Sequence, residues 1–257
     1  MHPEIRAYIN VVALCAVLFV NYLANALPIN NLTQAEISYE IYPVLFTPAP
    51  YVFSIWGLIY FLLIGFVIYQ ALPKYRATPY NNAVGLFFTG TALLNIFWLL
   101  AWHYLLVTLS LVLMVLLLLT LVAIYLRISG EDSRENIYDR VFIKFPFSLY
   151  LAWICVALLA NFNVILYDIG WLGIGFGSML FTVFIIIIAA LAALYIFGAR
   201  QDYVFPLVFA WAFIGIAVRH GSELILLTIV ASASAAVLLF FVVWFLKKRG
   251  LWSFKFY

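Results

Sequence analysis

Charge is scarce in this chain. Asp, Glu, Lys and Arg make up 9% of its 257 residues, against about a quarter in soluble domains. No ionisable residue falls in the middle of an apolar stretch. Such residues are costly in lipid and mark proton relays and ion paths, so their absence argues against a proton-coupled pump or a charge-selective channel. The two cysteines, Cys15 and Cys155, both lie inside apolar stretches and read as small buried thiols, bridged only if they happen to face each other. His2, His103 and His220 sit at helix ends or termini, which leaves no paired mid-span histidines for haem and no metal-ligand spacing. No Gly-rich phosphate cradle is present, and no Ser or Cys has a His and a carboxylate nearby in sequence. No catalytic or metal residue is assigned.

Apolar residues are what the chain has, at 68% of the total. Eight apolar stretches, at 8–27, 50–72, 80–102, 104–127, 141–163, 172–198, 203–218 and 224–246, approach the ~20 residues needed to cross a bilayer. They are too long and too unalternating for barrel strands. With the first stretch starting inside, twelve of the thirteen Lys and Arg residues fall on one side. These are Arg6, Lys74, Arg76, Arg127, Arg134, Arg140, Lys144, Arg200, Lys247, Lys248, Arg249 and Lys255, with Arg219 alone outside. That asymmetry is the positive-inside signature. The predicted fold is all-α: a polytopic transmembrane helical bundle of about eight spans with cytoplasmic N and C termini, in the plasma membrane. The inner basic excess, moderated by Glu4, Glu131, Asp132, Glu135, Asp139 and Asp202, is explained by topology and anionic lipid, so no nucleic-acid partner is expected. Arg6, the run Ile9 to Val20 and the triplet Ala24-Asn25-Ala26 also resemble a signal peptide, but the segment is read as a true first helix.

One outer connector is long. Residues 28–49 carry no Lys or Arg but several apolar side chains, among them Ile37, Tyr42, Val44 and Phe46. This reads as a lid packed on the bundle, the alternative being a loop whose Tyr rings anchor it in the headgroup layer. The inner loop 128–140 mixes both signs and reads as a solvated connector with a helical turn. Gly173 and Gly177 form a Gly-x-x-x-Gly pair at the start of the sixth span, and Ser232 to Ala236 form a small-residue patch in the eighth. Both favour close helix packing within the chain, with a homodimer as the other option.

The remaining intramembrane polar groups are amides, hydroxyls and indoles at regular spacing. Asn21 and Asn25 are one turn apart; Trp56 and Tyr60 share a face; Asn95, Trp98 and Trp102 follow i, i+3, i+7; Trp153, Ala157 and Asn161 follow i, i+4, i+8. The topology puts these groups at similar depth, beneath the 28–49 connector. An aromatic-walled pocket with a few polar fixing points suits a hydrophobic small molecule. Trp102 and Trp171 read as interfacial belt residues. For Trp98 and Trp153, spacing does not separate pocket from core packing.

At these same residues the chain resembles the TspO/MBR family of tryptophan-rich sensory and translocator proteins. FTPAPYVFSIWGLIY (46–60) resembles the Pro-rich entry to the family's second helix, and LNIFW (94–98) its Leu-Asn-x-x-Trp. YLAW (150–153), with Ala157 and Asn161 beyond it, resembles the fifth-helix pattern. Pro48-Ala49-Pro50 stands for a Pro pair, Trp56 follows Phe53 by three positions rather than four, and Leu149 replaces a Pro. The resemblance covers about the first 165 residues. It implies residues 1–167 as a five-helix core with the 28–49 lid, and 168–257 as three additional helices with a basic cytoplasmic tail. It also implies a pocket for porphyrins or sterol-like molecules lined by Trp56, Asn95, Trp98, Trp153 and Ala157. Tyr60, Phe53, Asn21, Asn25 and Asn161 complete the candidate set.

The leading expectation is a sensor or translocator that binds a flat apolar ligand such as a tetrapyrrole. No cofactor is required; a bound porphyrin or lipid is expected, and the partners are the lipid bilayer and that hydrophobic ligand. The alternative is a transporter or lipid-moving protein without tetrapyrrole specificity. Light-dependent porphyrin oxidation, implied by the resemblance alone, is left open as an enzymatic reading.

Overall fold

The structure, a computed structural model, describes residues 2–27, 29–131, 136–173 and 175–248. Eight apolar helices dominate: α1 (Pro3–Ala26), α2 (Ile55–Ala71), α3 (Phe87–His103), α4 (Val107–Ser129), α5 (Phe145–Asp168), α6 (Phe176–Arg200), α7 (Val204–His220) and α8 (Ile225–Lys248). No strand occurs among the described residues. Among the described residues six apolar helical segments are long enough to cross a membrane; α3 and α7, at 17 residues each, are shorter. Lipid offers no hydrogen-bond partner to the backbone, so uninterrupted apolar runs satisfy their own amides as helices. Proline marks the starts: Pro3 and Pro146 sit in the first turns of α1 and α5, where no intrahelical donor is lost. The Pro50–Ser54 3₁₀ turn runs directly into α2.

The helices differ from the expected spans in instructive places. The stretch predicted as one span over 80–102 is broken: a short helix, Pro79–Val84, ends at Gly85, whose φ of 57° no ordinary helical residue adopts, and α3 starts beyond it. Asn10 of α1 donates to the Gly85 carbonyl at 3.1 Å, giving the break a partner. At the end of the 128–140 loop a helical turn, Ile137–Asp139, is exposed at Asn136, Ile137, Tyr138 and Arg140, as a solvated connector would be, but Asp139 turns inward. Asp139 is 2% exposed, closes a capping box with Asn136, and accepts the Tyr69 hydroxyl at 2.8 Å. Among the described residues the glycine pair does not bring helices together, since added Cβ atoms on Gly173 and Gly177 meet nothing within 4 Å. Cys15 is exposed rather than buried, Cys155 is partly buried, and both are free. Asp132, Arg134, Glu135, Arg249, Lys255 and the basic tail lie outside the described residues.

The chain divides into two compact units: Met1–Val44 with Phe53–Leu172, and Leu45–Val52 with Gly173–Tyr257. In the first, neighbouring packings run α1–α2–α5–α4–α3 and back to α1, a closed ring of five helices. In the second, α6, α7 and α8 pack mutually. Of the small-residue patch Ser232 to Ala236 only Ala235 is buried, with Ala231 one turn before it, while Ser232, Ala233 and Ala236 are exposed.

A polar network fixes one end of the five-helix ring. Asn10, fully buried, donates to Gln70 Oε1 at 3.0 Å and accepts from the Thr89 hydroxyl at 2.7 Å, joining α1, α2 and α3. Arg6, 8% exposed, donates to Asn82 Oδ1 at 2.6 Å and to the Arg76 carbonyl at 2.7 Å. Arg76 pairs with Glu4 at the rim. Replacing Asn10 by Ala strands buried Gln70 and half-buried Thr89 and Gly85, at a cost of about 1–3 kcal/mol. Asn10→Ala is therefore expected to lower the thermal unfolding midpoint in detergent; an unchanged midpoint would contradict this account.

Candidate functional site

Indole, phenol and amide groups converge at the other end of the ring. Trp56, on the first turn of α2, lies nearly parallel to Tyr60 (centroids 5.6 Å apart) and to Trp98 (6.3 Å). It meets the edges of Tyr150 at 5.9 Å and Trp153 at 6.3 Å. Phe53 stands edge-on to Trp153 at 6.1 Å, and Trp98 stacks on Trp102 at 6.4 Å. Helical spacing produces this: Trp56 and Tyr60 are one turn apart on α2, as are Tyr150 and Trp153 on α5 and Trp98 and Trp102 on α3. Offset and edge-on arrangements are those the aromatic quadrupole favours.

Asn95 is the polar centre. Its side chain is 1% exposed, and its amide donates to the Tyr150 hydroxyl at 3.2 Å. Its oxygen accepts from Asn21 Nδ2 at 3.1 Å and, at a long 3.4 Å, from the Tyr60 hydroxyl. One carboxamide on α3 thus engages α1, α2 and α5. The indole N–H groups of Trp98 and Trp153 are buried without any hydrogen-bond partner among the described residues. A buried donor left unpaired costs about 1–3 kcal/mol, so native structures rarely leave one without a water, ion or ligand to take it.

The candidate residues do not all join the cluster. Trp56, Tyr60, Phe53, Trp98, Trp153, Asn95 and Asn21 do. Ala157 lies one turn beyond Trp153 and is half-buried. Asn161 turns to α4, donating to the Ser110 hydroxyl at 2.8 Å, and serves as interhelical glue. The side chain of Asn25 lies outside the described residues. Tyr150 was missed, although its position three residues before Trp153 puts it on the same face. Trp102 is not a belt residue: it is 8% exposed, under the Tyr42 ring at 6.2 Å. Trp171, at 63% exposure, does lie at the surface.

The connector after α1 packs above this cluster. A capping box at Thr33 and Glu36 starts a short helix, Gln34–Glu36, continued by a π turn, Ile37–Ile41. The Thr33 backbone N–H and hydroxyl both reach the Glu36 carboxylate at 2.7 Å and hold it below the usual carboxylate range. Ile37, Tyr42 and Val44 bury themselves with Trp102, Val107 and Val164. Asn30 donates to the His103 carbonyl at 3.1 Å, tying the connector to the end of α3. Burial and the nearby Asp168 charge raise the Tyr42 hydroxyl above its ordinary range, so it stays protonated and donates to Asp168 at 3.4 Å.

Asn95→Leu would leave Tyr150, Asn21 and Tyr60 without their shared partner. It is expected to destabilise the protein by about 1–3 kcal/mol, read as a lower unfolding midpoint, while Asn95→Gln recovers part of it.

Comparison with curated proteins and with solved structures returns no match. A family model described as TSPO-like protein matches residues 7–244, which takes in α6, α7 and most of α8 as well as the five-helix ring. The aromatic and amide constellation, the membrane-length apolar helices and this match across nearly the whole sequence agree: the chain is an integral membrane protein of the TSPO-like protein family.

Proposed function

We propose that the protein binds a flat hydrophobic ligand, of porphyrin or sterol-like class, against the Trp56–Trp98–Trp153 cluster, and acts as a sensor or translocator. The observation that carries this reading is the pair of buried, unpartnered indole donors of Trp98 and Trp153 beside stacked rings. Aromatic walls accept a planar ring system by stacking, and two N–H donors would orient acceptor groups on it. The ligand enters or leaves by displacement of the connector packed over Trp102.

The same reading sets the protein in the plasma membrane with eight spans and both termini in the cytoplasm, on the strength of the basic asymmetry. In a Cys15→Ala, Cys155→Ala background, a cysteine at Thr33 should react with impermeant maleimide added outside intact cells. One at Ser129 should not. Reversed labelling would overturn the orientation.

Titrating protoporphyrin IX into purified protein should quench Trp emission saturably. Trp98→Ala and Trp153→Ala should each weaken binding by roughly threefold to tenfold, the worth of a lost aromatic pair. Asn161→Ala should lower stability through Ser110 but leave affinity unchanged. Wild-type affinity in both Trp variants would reject this site.

A further inference from the structure

At the Asn10 end of the five-helix ring, several buried side-chain atoms have no hydrogen-bond partner among the described residues. Arg6 Nε, Arg76 Nε and Gln70 Nε2 are donors, and Asn81 Oδ1 is an acceptor. Arg6 is 8% exposed, and Gln70 and Asn81 are 1% exposed. Native proteins rarely keep buried polar groups unpaired without a water, ion or ligand to take them.

The bonds around these atoms close a circuit within the first unit. Arg6 donates to the Arg76 carbonyl at 2.7 Å, and Arg76 Nη2 donates to the Ala71 carbonyl at 2.8 Å. Gln70, beside Ala71, accepts from Asn10 at 3.0 Å, and Asn10 stands one turn after Arg6 on α1. The short helix Pro79–Val84 joins in. Arg6 donates to Asn82 Oδ1 at 2.6 Å, and Asn81 Nδ2 donates to the Tyr75 carbonyl at 2.8 Å. The idle N–H groups are therefore gathered in one neighbourhood.

Charge points to what would occupy it. Arg6 and Arg76 face a single carboxylate, Glu4, which pairs with Arg76. Asn10, Gln70, Asn81 and Asn82 are neutral amides, and Lys74 adds a further cation over the Tyr75 ring at 5.1 Å. Asp139, the one buried carboxylate among the described residues, is taken up by Tyr69 and Asn136. A water could meet the donors but would leave the positive excess uncompensated. A phosphate group brings several acceptor oxygens and negative charge, the combination that guanidinium groups bind best. A P–OH on the same group would give Asn81 Oδ1 its missing donor. Glu4 is exposed and holds the place on Arg76 that an incoming oxyanion would take.

We infer that Arg6, Gln70 and Arg76 form a site for a phosphate-type oxyanion at the N-terminal end of α1, with Glu4 as the internal competitor that the oxyanion displaces. With that end in the cytoplasm, as the basic asymmetry indicates, the phosphate comes from an anionic lipid headgroup of the inner leaflet or from free phosphate. The site lies at the opposite end of the ring from the aromatic cluster and does not depend on a ligand there.

The test uses full-length protein in maltoside micelles, which carry no phosphate. One arm adds sodium phosphate against sodium chloride at matched ionic strength and reads the unfolding midpoint. The other adds phosphatidic acid, a phosphate monoester, and reads lipid adducts by native mass spectrometry. Arg76→Gln should weaken affinity by about tenfold, the worth of a lost charge-assisted hydrogen bond. Glu4→Gln removes the competitor from an exposed position and should tighten binding by roughly threefold to tenfold. That gain keeps the site testable even if Arg76→Gln fails to fold. Asp202→Asn removes a carboxylate outside the circuit while keeping an acceptor for the Val204 amide, and should leave affinity unchanged. Phosphate also stabilises proteins by exclusion from their surface, but that effect acts alike on every variant. A response in either arm that follows this order supports the site and names the source of the phosphate. No response in both arms, or equal tightening by Glu4→Gln and Asp202→Asn, overturns the inference.

Discussion

A single carboxamide organises the five-helix ring. Asn95 is almost wholly buried, in surroundings where an unpaired amide would cost several kcal/mol. Its donor goes to Tyr150 and its oxygen to Asn21 and Tyr60, so α1, α2 and α5 are each registered against α3 at one depth. Trp56, Trp98 and Trp153 sit within a turn of these partners. Their mutual stacking follows from the register that the amide imposes. Without it, apolar helices in lipid have little to fix their rotation or axial offset, because lipid tails are as apolar as Leu.

The opposite end of the ring is held by related chemistry. Asn10, Gln70 and Thr89 bond across three helices, and Asn10 also takes up the carbonyl freed at the Gly85 break. Two amides on one helix therefore bracket the apolar middle: buried Asn10 at one end and half-buried Asn21 three turns later. Between them α1 contributes side chains such as Leu14 and Val17, which are buried by shape alone. Polar groups specify the arrangement and apolar area fills it.

Much of this was legible in the sequence. Apart from the 80–102 stretch, the helices fall within a few residues of the hydropathy stretches, because a bilayer imposes a length that composition reveals directly. Gly85 was not legible: one glycine in a long apolar run is indistinguishable from a packing glycine until its φ is seen. Periodicity put Asn161 on a helix face but could not name its neighbour, and Ser110 is 51 residues away. Trp102 looked interfacial because it ends a helix; the Tyr42 ring that covers it comes from a connector with no periodic signal. Leu45–Val52 was harder still. Nothing local to Pro48-Ala49-Pro50 indicates that its partners lie beyond residue 210.

That segment bears on how the chain is put together. The carbonyls of Leu45, Thr47 and Val52 and the amide of Ala49 all find their partners on α7. A chain ending after α5 would uncover four backbone groups and the apolar side of Val52 at once. The approach to α2 along the chain is thus held by hydrogen bonds to a helix more than 150 residues later in the sequence.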